Sequence, residues 1–286
     1  MTAEAVGRRA CEAVPVELTA GTTRLVVDEE NGARLASLLV AGADGDLQLV
    51  GRYRPSAHGW GAFPMAPWAG RVRNGRLEWE GRVHQLPVTK PPHAIHGLVA
   101  TVPWTVQEST ASSAVLVREV GPEWPWPAHA VLRYTLAPQE LTTVLEVHAD
   151  AERMPTWSGI HPWFPRVLGG QAVDVALTAR AVMARDEEGI TTAAEQPVPP
   201  GAPMDPPVDD VFADVTWPVV LTWPGVLALE VRADAPWAVV FTEREEAVCV
   251  EPQTAPPDAT ALGLARTAEP GHPLVLTMTW RWSAAA

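Results

Sequence analysis

Two histidines and one carboxylate are placed among residues that suit proton exchange near neutrality. His96 lies in His93-Ala94-Ile95-His96-Gly97, His161 in Gly159-Ile160-His161-Pro162-Trp163-Phe164, and Glu251 in Val248-Cys249-Val250-Glu251-Pro252-Gln253. An imidazole titrates near pH ~6.5 and a carboxylate well below it, so the two supply an acid and a base to two oxygens of one substrate. His161 sits in a strongly apolar run, where an imidazole is either a core residue bonded to backbone or an acid tuned by partial burial. Glu251 carries the same ambiguity, although a carboxylate is rarely buried without a purpose.

His93 and His96 are spaced i, i+3, which on a helix would make a metal pair. Their surroundings are extended and proline-flanked, and no further ligands stand at a zinc spacing. Hydrogen bonding is the favoured reading, and no metal is expected. Arg71, in Pro67-Trp68-Ala69-Gly70-Arg71-Val72-Arg73-Asn74-Gly75-Arg76, precedes a hairpin and so sits at a strand edge, where a guanidinium reaches a hydroxyl-rich ligand through several donors. Arg73 and Arg76 read as ordinary surface arginines.

The elements that carry these groups follow a period of two. Leu276, Met278, Trp280 and Trp282 alternate with polar residues, as do Leu227, Leu229 and Val231, and Leu132, Tyr134 and Leu136. Arg76 to Trp79 and Arg82 to Leu86 bracket Glu80-Gly81 as a hairpin. Helical periodicity is absent, and 29 prolines with 21 glycines interrupt the chain too often for long helices. The expected fold class is all-β, many short strands covering one another as a sandwich or barrel. Residues 1–15 are expected to be loose and residues 16–286 to form one domain. Glu195 to Pro207 reads as a long loop within it. Of the 13 tryptophans most are expected in the core, with Trp60, Trp68 and Trp163 as candidates for lining a cleft.

Composition narrows the partners. A formal net charge of -13 and the lack of a clustered basic surface argue against nucleic acid and anionic membranes. No stretch approaches the ~18 uncharged apolar residues of a membrane span, and Met1 to Pro15 has no continuous apolar core of a secretory signal, so a cytoplasmic location is expected. Two cysteines, Cys11 and Cys249, are too few for a disulfide framework, and a bridge between them is disfavoured. No glycine-rich phosphate loop is found, and no cofactor is expected.

Taken in order, Asn74-Gly75-Arg76-Leu77-Glu78-Trp79-Glu80-Gly81, His93 to Val99, His161-Pro162-Trp163-Phe164 and Glu251-Pro252-Gln253-Thr254 resemble the aldose 1-epimerase (galactose mutarotase) family. The resemblance implies a β-supersandwich and a cofactor-free interconversion of the α and β anomers of a free aldose such as galactose or glucose. It implies Glu251 as general base at the C1 hydroxyl, His161 as general acid at the ring oxygen, and His96 and Arg71 as groups that hold the sugar. An aspartate gripping sugar hydroxyls maps to Asp209, with Asp210 as close rival. Gly70 stands where the family often has asparagine, and Trp163 where tyrosine is usual after His-Pro. Both leave the preferred sugar open. Three alternatives remain: a hexose-6-phosphate 1-epimerase, which needs a basic pocket and fits poorly with the acidic balance; a non-catalytic carbohydrate-binding protein; and a lyase or isomerase acting on a sugar acid. A monomer or homodimer is expected.

Overall fold

In the computed structural model the described residues are 15–52, 54–199, 204 and 207–285. The loose N-terminal segment and Cys11 expected above lie outside them, apart from Pro15. Strand is nearly the only regular structure, and among the described residues helix is confined to two three-residue turns, Glu29–Asn31 and Arg73–Gly75.

The strands join into one antiparallel network that doubles back on itself. One layer runs from Thr105–Ser109 through Ser113–Glu119, Ala128–Ala137, Glu140–Ala149 and Leu274–Ser283 to Leu227–Ala233. The other runs from Val16–Ala20 through Thr23–Asp28, Arg34–Gly42, Ala62–Met65, Gly159–Pro165 and Ala247–Gln253 to Trp237–Phe241. The 15-residue strand Asp209–Trp223 belongs to both: Val219 to Trp223 pair with Leu227–Ala233, and Asp209 to Ala213 with Trp237–Phe241. Asp174–Arg185 runs beside it and pairs in turn with Thr191–Pro197.

The alternating residues face inward as their period predicts. Leu276, Met278, Trp280 and Trp282 are buried, as are Leu132, Tyr134 and Leu136. They meet Leu18, Leu25, Leu38 and Phe164 of the other layer in one cluster. Phe164 and Trp280 pack with ring centres 5.0 Å apart, and the Tyr134 hydroxyl donates to the Ala33 carbonyl at 2.8 Å. Each such large apolar side chain contributes about 1.5–3 kcal/mol by leaving water. The hairpin Arg76–Trp79 with Arg82–Gln85 is present.

One sequence expectation is corrected. Glu195 to Pro197 continue the strand Thr191–Pro197 rather than opening a loop, with Gln196 opposite Val182 and Pro197 opposite Ala181. The strand lies at the side of the sheet, where a proline costs no ladder hydrogen bond.

Candidate active site

Strand register builds the site. Gly159–Pro165 pairs with Ala247–Gln253 so that Gly159 faces Gln253 and Trp163 faces Cys249, which sets His161 opposite Glu251 midway between them. On its other side His161 pairs with Phe63, while Glu251 pairs with Val239. Phe241 links Cys249 to Asp209. Alternate residues of a strand share a face. His161, Trp163, Glu251, Gln253, Val239, Phe241 and Asp209 therefore line one cleft of about 350 Å³. Arg71 and His96 enter from the small sheet Arg71–Val72 with Ala94–Ile95. All five side chains singled out from the sequence line this cleft.

At its floor His161 Nε2 lies 3.1 Å from Glu251 Oε1, with the two side chains only 7% and 4% exposed. Phe63 stacks on the imidazole at 4.6 Å, and Trp163 and His96 flank it at 5.0 and 5.2 Å. Burial in this aromatic box disfavours charge on either partner. It pushes the His161 imidazole well below its ordinary range, helped by His58, Arg244 and Arg34, against a bond to its own backbone. It pushes the Glu251 carboxyl well above the ordinary range, helped by Asp209 and opposed by Arg185 and Gln253. Both shifts favour the neutral forms, carboxyl and imidazole, lying side by side.

The same cleft holds polar atoms that lack a protein partner among the described residues: His96 Nδ1, Gln253 Oε1 and Arg185 Nε are buried without a hydrogen bond. Buried polar atoms are nearly always paired, so a group of them at one cleft marks a place where polar ligand atoms are received.

Sequence comparison fits this geometry: residues 16–280 match the family described as aldose 1-epimerase. The chain belongs to that family. Among curated proteins it is 28% identical to the uncharacterized protein YihR of Escherichia coli K12, over 89% of this chain and 88% of that one. Among solved structures it resembles the GalM/aldose epimerase homologue of C. elegans (TM-score 0.80, 16% identity, 96% and 99% of the two chains). It also resembles galactose 1-epimerase of Lactobacillus acidophilus NCFM (TM-score 0.78, 18% identity, 98% of each chain). At these identities the structural likeness establishes the fold, a galactose mutarotase-like supersandwich.

The two departures from the aldose 1-epimerase pattern have local causes. Gly70 has φ +69°, and a Cβ there would lie 2.5 Å from Pro257, so glycine suits both backbone and space. Trp163 donates its indole N–H to the His58 carbonyl at 2.8 Å and carries the Arg244 guanidinium over its ring at 4.1 Å. His96 adopts φ +58°, which is uncommon outside glycine, and its N–H donates to the Gly70 carbonyl at 3.0 Å. That strained turn aims the imidazole at the cleft. Asp258 anchors the neighbouring strand: its N–H donates to the Arg71 carbonyl at 2.8 Å, and its carboxylate accepts from the Arg73 N–H at 3.2 Å.

Several other expectations are now located. Asp209 lines the cleft, and both its oxygens are engaged by the Arg185 guanidinium at 2.5 and 2.8 Å. Asp210 points to the opposite face, into a groove with Val175, Val198 and Phe212, because neighbouring strand residues alternate. His93 is buried away from any ligand set, with Nδ1 accepting from the Asn74 N–H at 3.1 Å. Arg73 pairs with Asp186 and Glu188 outside the cleft. Trp60 and Trp68 are buried and do not line the cleft, and of the three candidate tryptophans only Trp163 does.

Sequence reasoning missed His58, Lys90, Arg185, Arg244 and Cys249. Cys249 stands in the run that carries Glu251 but was given no role there; the other four stand in no motif, and tertiary pairing alone brings them to the site. It missed Arg34 as well, a guanidinium 1% exposed that donates to the carbonyls of Asn31, Trp60, Ala57 and Ala100 and holds the loop bearing His58. Burial, partly offset by Asp28 and Tyr134, pulls its pKa down to about 10. Cys249 Sγ lies 3.7 Å from His161 Nδ1, and the ligand atoms of His161, Cys249 and Glu251 fall within 4.8 Å of one another. The thiol lies nearest Nδ1 of the ring and the carboxyl nearest Nε2.

Proposed function

We propose that this protein interconverts the anomers of an aldose by opening and reclosing the hemiacetal ring. The observation that carries this is the buried His161–Glu251 contact at 3.1 Å on the floor of a cleft sized for a small molecule. The two oxygens of a hemiacetal are bonded to the same carbon, so an acid and a base acting on them must lie side by side.

One proton, carried by Glu251 at rest, makes the cycle self-contained. With sugar bound, its hydroxyls solvate the carboxylate, and the proton moves from Glu251 to His161. Glu251 then takes the proton of the C1 hydroxyl while His161 Nε2 gives one to the ring oxygen, and the bond between C1 and that oxygen breaks. The pair is left as neutral carboxyl and neutral imidazole, the state that burial favours. Rotation about C1–C2 presents the other aldehyde face. Glu251 returns a proton to the carbonyl oxygen, His161 removes one from the attacking hydroxyl, and the opposite anomer forms. No proton is exchanged with solvent in a turnover. His96 and Arg71 hold the sugar, and Asp209 contacts its hydroxyls from its position on Arg185, supplying the orientation on which proton transfer depends.

Polarimetry on freshly dissolved α-D-glucose and α-D-galactose tests this reading. Added protein is expected to speed the decay of optical rotation. Decay at the spontaneous rate with every aldose tried, charged sugars included, would leave a sugar-binding protein in its place.

A further inference from the structure

The charge of the cleft is opposite to that of the chain. Against a formal net charge of -13, the cleft is lined by Arg71, Lys90, Arg185 and Arg244, with only Asp209 and Glu251 opposing them. Arg185 is neutralised by Asp209, and burial pushes Glu251 toward its protonated, uncharged form. Arg244 has its nearest carboxylate, Glu246, at 4.0 Å. Arg71 and Lys90 have no side-chain hydrogen bond and no ion pair among the described residues. Unpaired cations elsewhere on a surface are solvated and mean little. These two stand together on one wall: Arg71 is the strand partner of Ile95, and the N–H of Ile95 donates to the hydroxyl of Thr89, the residue before Lys90.

We propose that the substrate is an aldose carrying an anionic group away from C1, received by Lys90 and Arg71. The inference rests on the epimerase reading above and narrows it to a substrate class. Lys90 acts electrostatically on His58 and Arg71 on His96, and neither is among the charges that shift His161 or Glu251. His58 and His96 are 5.2 Å apart, and His96 is 5.2 Å from His161. The field of the cations reaches these rings: after burial, Arg34 and Lys90 depress the His58 pKa to about 4, and Arg71 contributes to the depression of His96. The acidic excess of the whole chain does not cancel this, because at physiological salt it is screened beyond about 8 Å, whereas a bound anion meets Lys90 and Arg71 at contact distance. Phosphate and carboxylate share the chemistry that such a wall recognises.

Anomer exchange measured by NMR exchange spectroscopy on glucose, galactose, glucuronate and glucose 6-phosphate decides the matter and separates the two anions. The expected result is a kcat/KM for at least one anionic aldose about tenfold or more above that for glucose and galactose. Lys90→Met should lower the ratio of anionic to neutral kcat/KM about tenfold, and Lys90→Arg should restore it. Faster exchange of the neutral sugars, or a ratio unchanged in Lys90→Met, overturns the inference and leaves the epimerase reading standing. No acceleration with any of the four sugars overturns both.

Discussion

Replacing Glu251 by Gln separates proton transfer from structure more cleanly than any other change at this site. The carboxyl is 3.1 Å from His161 Nε2, is 4% exposed, and is pushed toward its protonated form by burial. An amide of nearly the same volume can donate to the same Nε2 and keep its neighbour Gln253, now at 3.4 Å. Because the buried carboxyl is neutral at rest, the exchange introduces neither an unpaired charge nor a cavity. Stability at pH 7 should change by less than about 1 kcal/mol. An amide cannot take the C1 hydroxyl proton, and a positioned general base contributes about 10²–10⁴ in rate, or roughly 2.7–5.5 kcal/mol of barrier. The assay pairs anomer-exchange kinetics, using the best sugar found for the intact protein, with urea unfolding of both proteins. The expected outcome is an unfolding midpoint close to the parent and a kcat/KM lower by at least 10²-fold. A folded Glu251→Gln protein retaining more than a tenth of the parental kcat/KM would refute the assignment of the base.

Three further outcomes are expected. Asp209→Asn breaks the two-point contact with Arg185 and should raise KM about tenfold, whereas Asp210→Asn, whose carboxyl burial already pushes toward the neutral form and which faces the other side of the sheet, should change the kinetics less than about twofold. His58, depressed from 6.5 to about 4 chiefly by burial, binds its proton less readily in the folded than in the unfolded chain. Its stabilisation is therefore present above pH 6.5 and lost as pH falls toward 4, by about 3 kcal/mol, and urea unfolding of His58→Asn should show a correspondingly flatter decline than the parent across that window. Gly97→Ala places a Cβ 2.0 Å from the Ala66 carbonyl oxygen at φ +73°, so it should destabilise by about 3 kcal/mol or more in the same unfolding assay and displace His96.

By itself the sequence determined the class of the fold, because a period of two is a local property. The alternation along Leu276 to Trp282 needs no knowledge of the partner strand to say which side chains turn inward. It also singled out the candidate groups, since His161, Glu251, His96 and Arg71 stand in short runs that can be read residue by residue and the family resemblance added Asp209. Whether those five meet was a matter of register. His161 faces Glu251 because two strands roughly ninety residues apart in the chain pair with Gly159 opposite Gln253. A shift of one residue in either strand would have turned its side chain to the opposite face and parted the two. The same alternation, fixed by pairing with Trp237–Phe241, turns Asp209 into the cleft and Asp210 away from it.

Electrostatics was the least legible part. Net charge is a sum over the chain, and -13 pointed away from anionic ligands. Yet Arg71, Lys90, Arg185 and Arg244 come from four separate segments that only folding gathers on one cleft. Arg34, paired with no carboxylate among the described residues and bonded to four carbonyls, likewise carries no mark in the sequence, because its partners are backbone atoms of its own turn and of two distant segments. Types and periodicity are written locally, while convergence, burial and the pKa values that follow from burial depend on what the remainder of the chain places alongside.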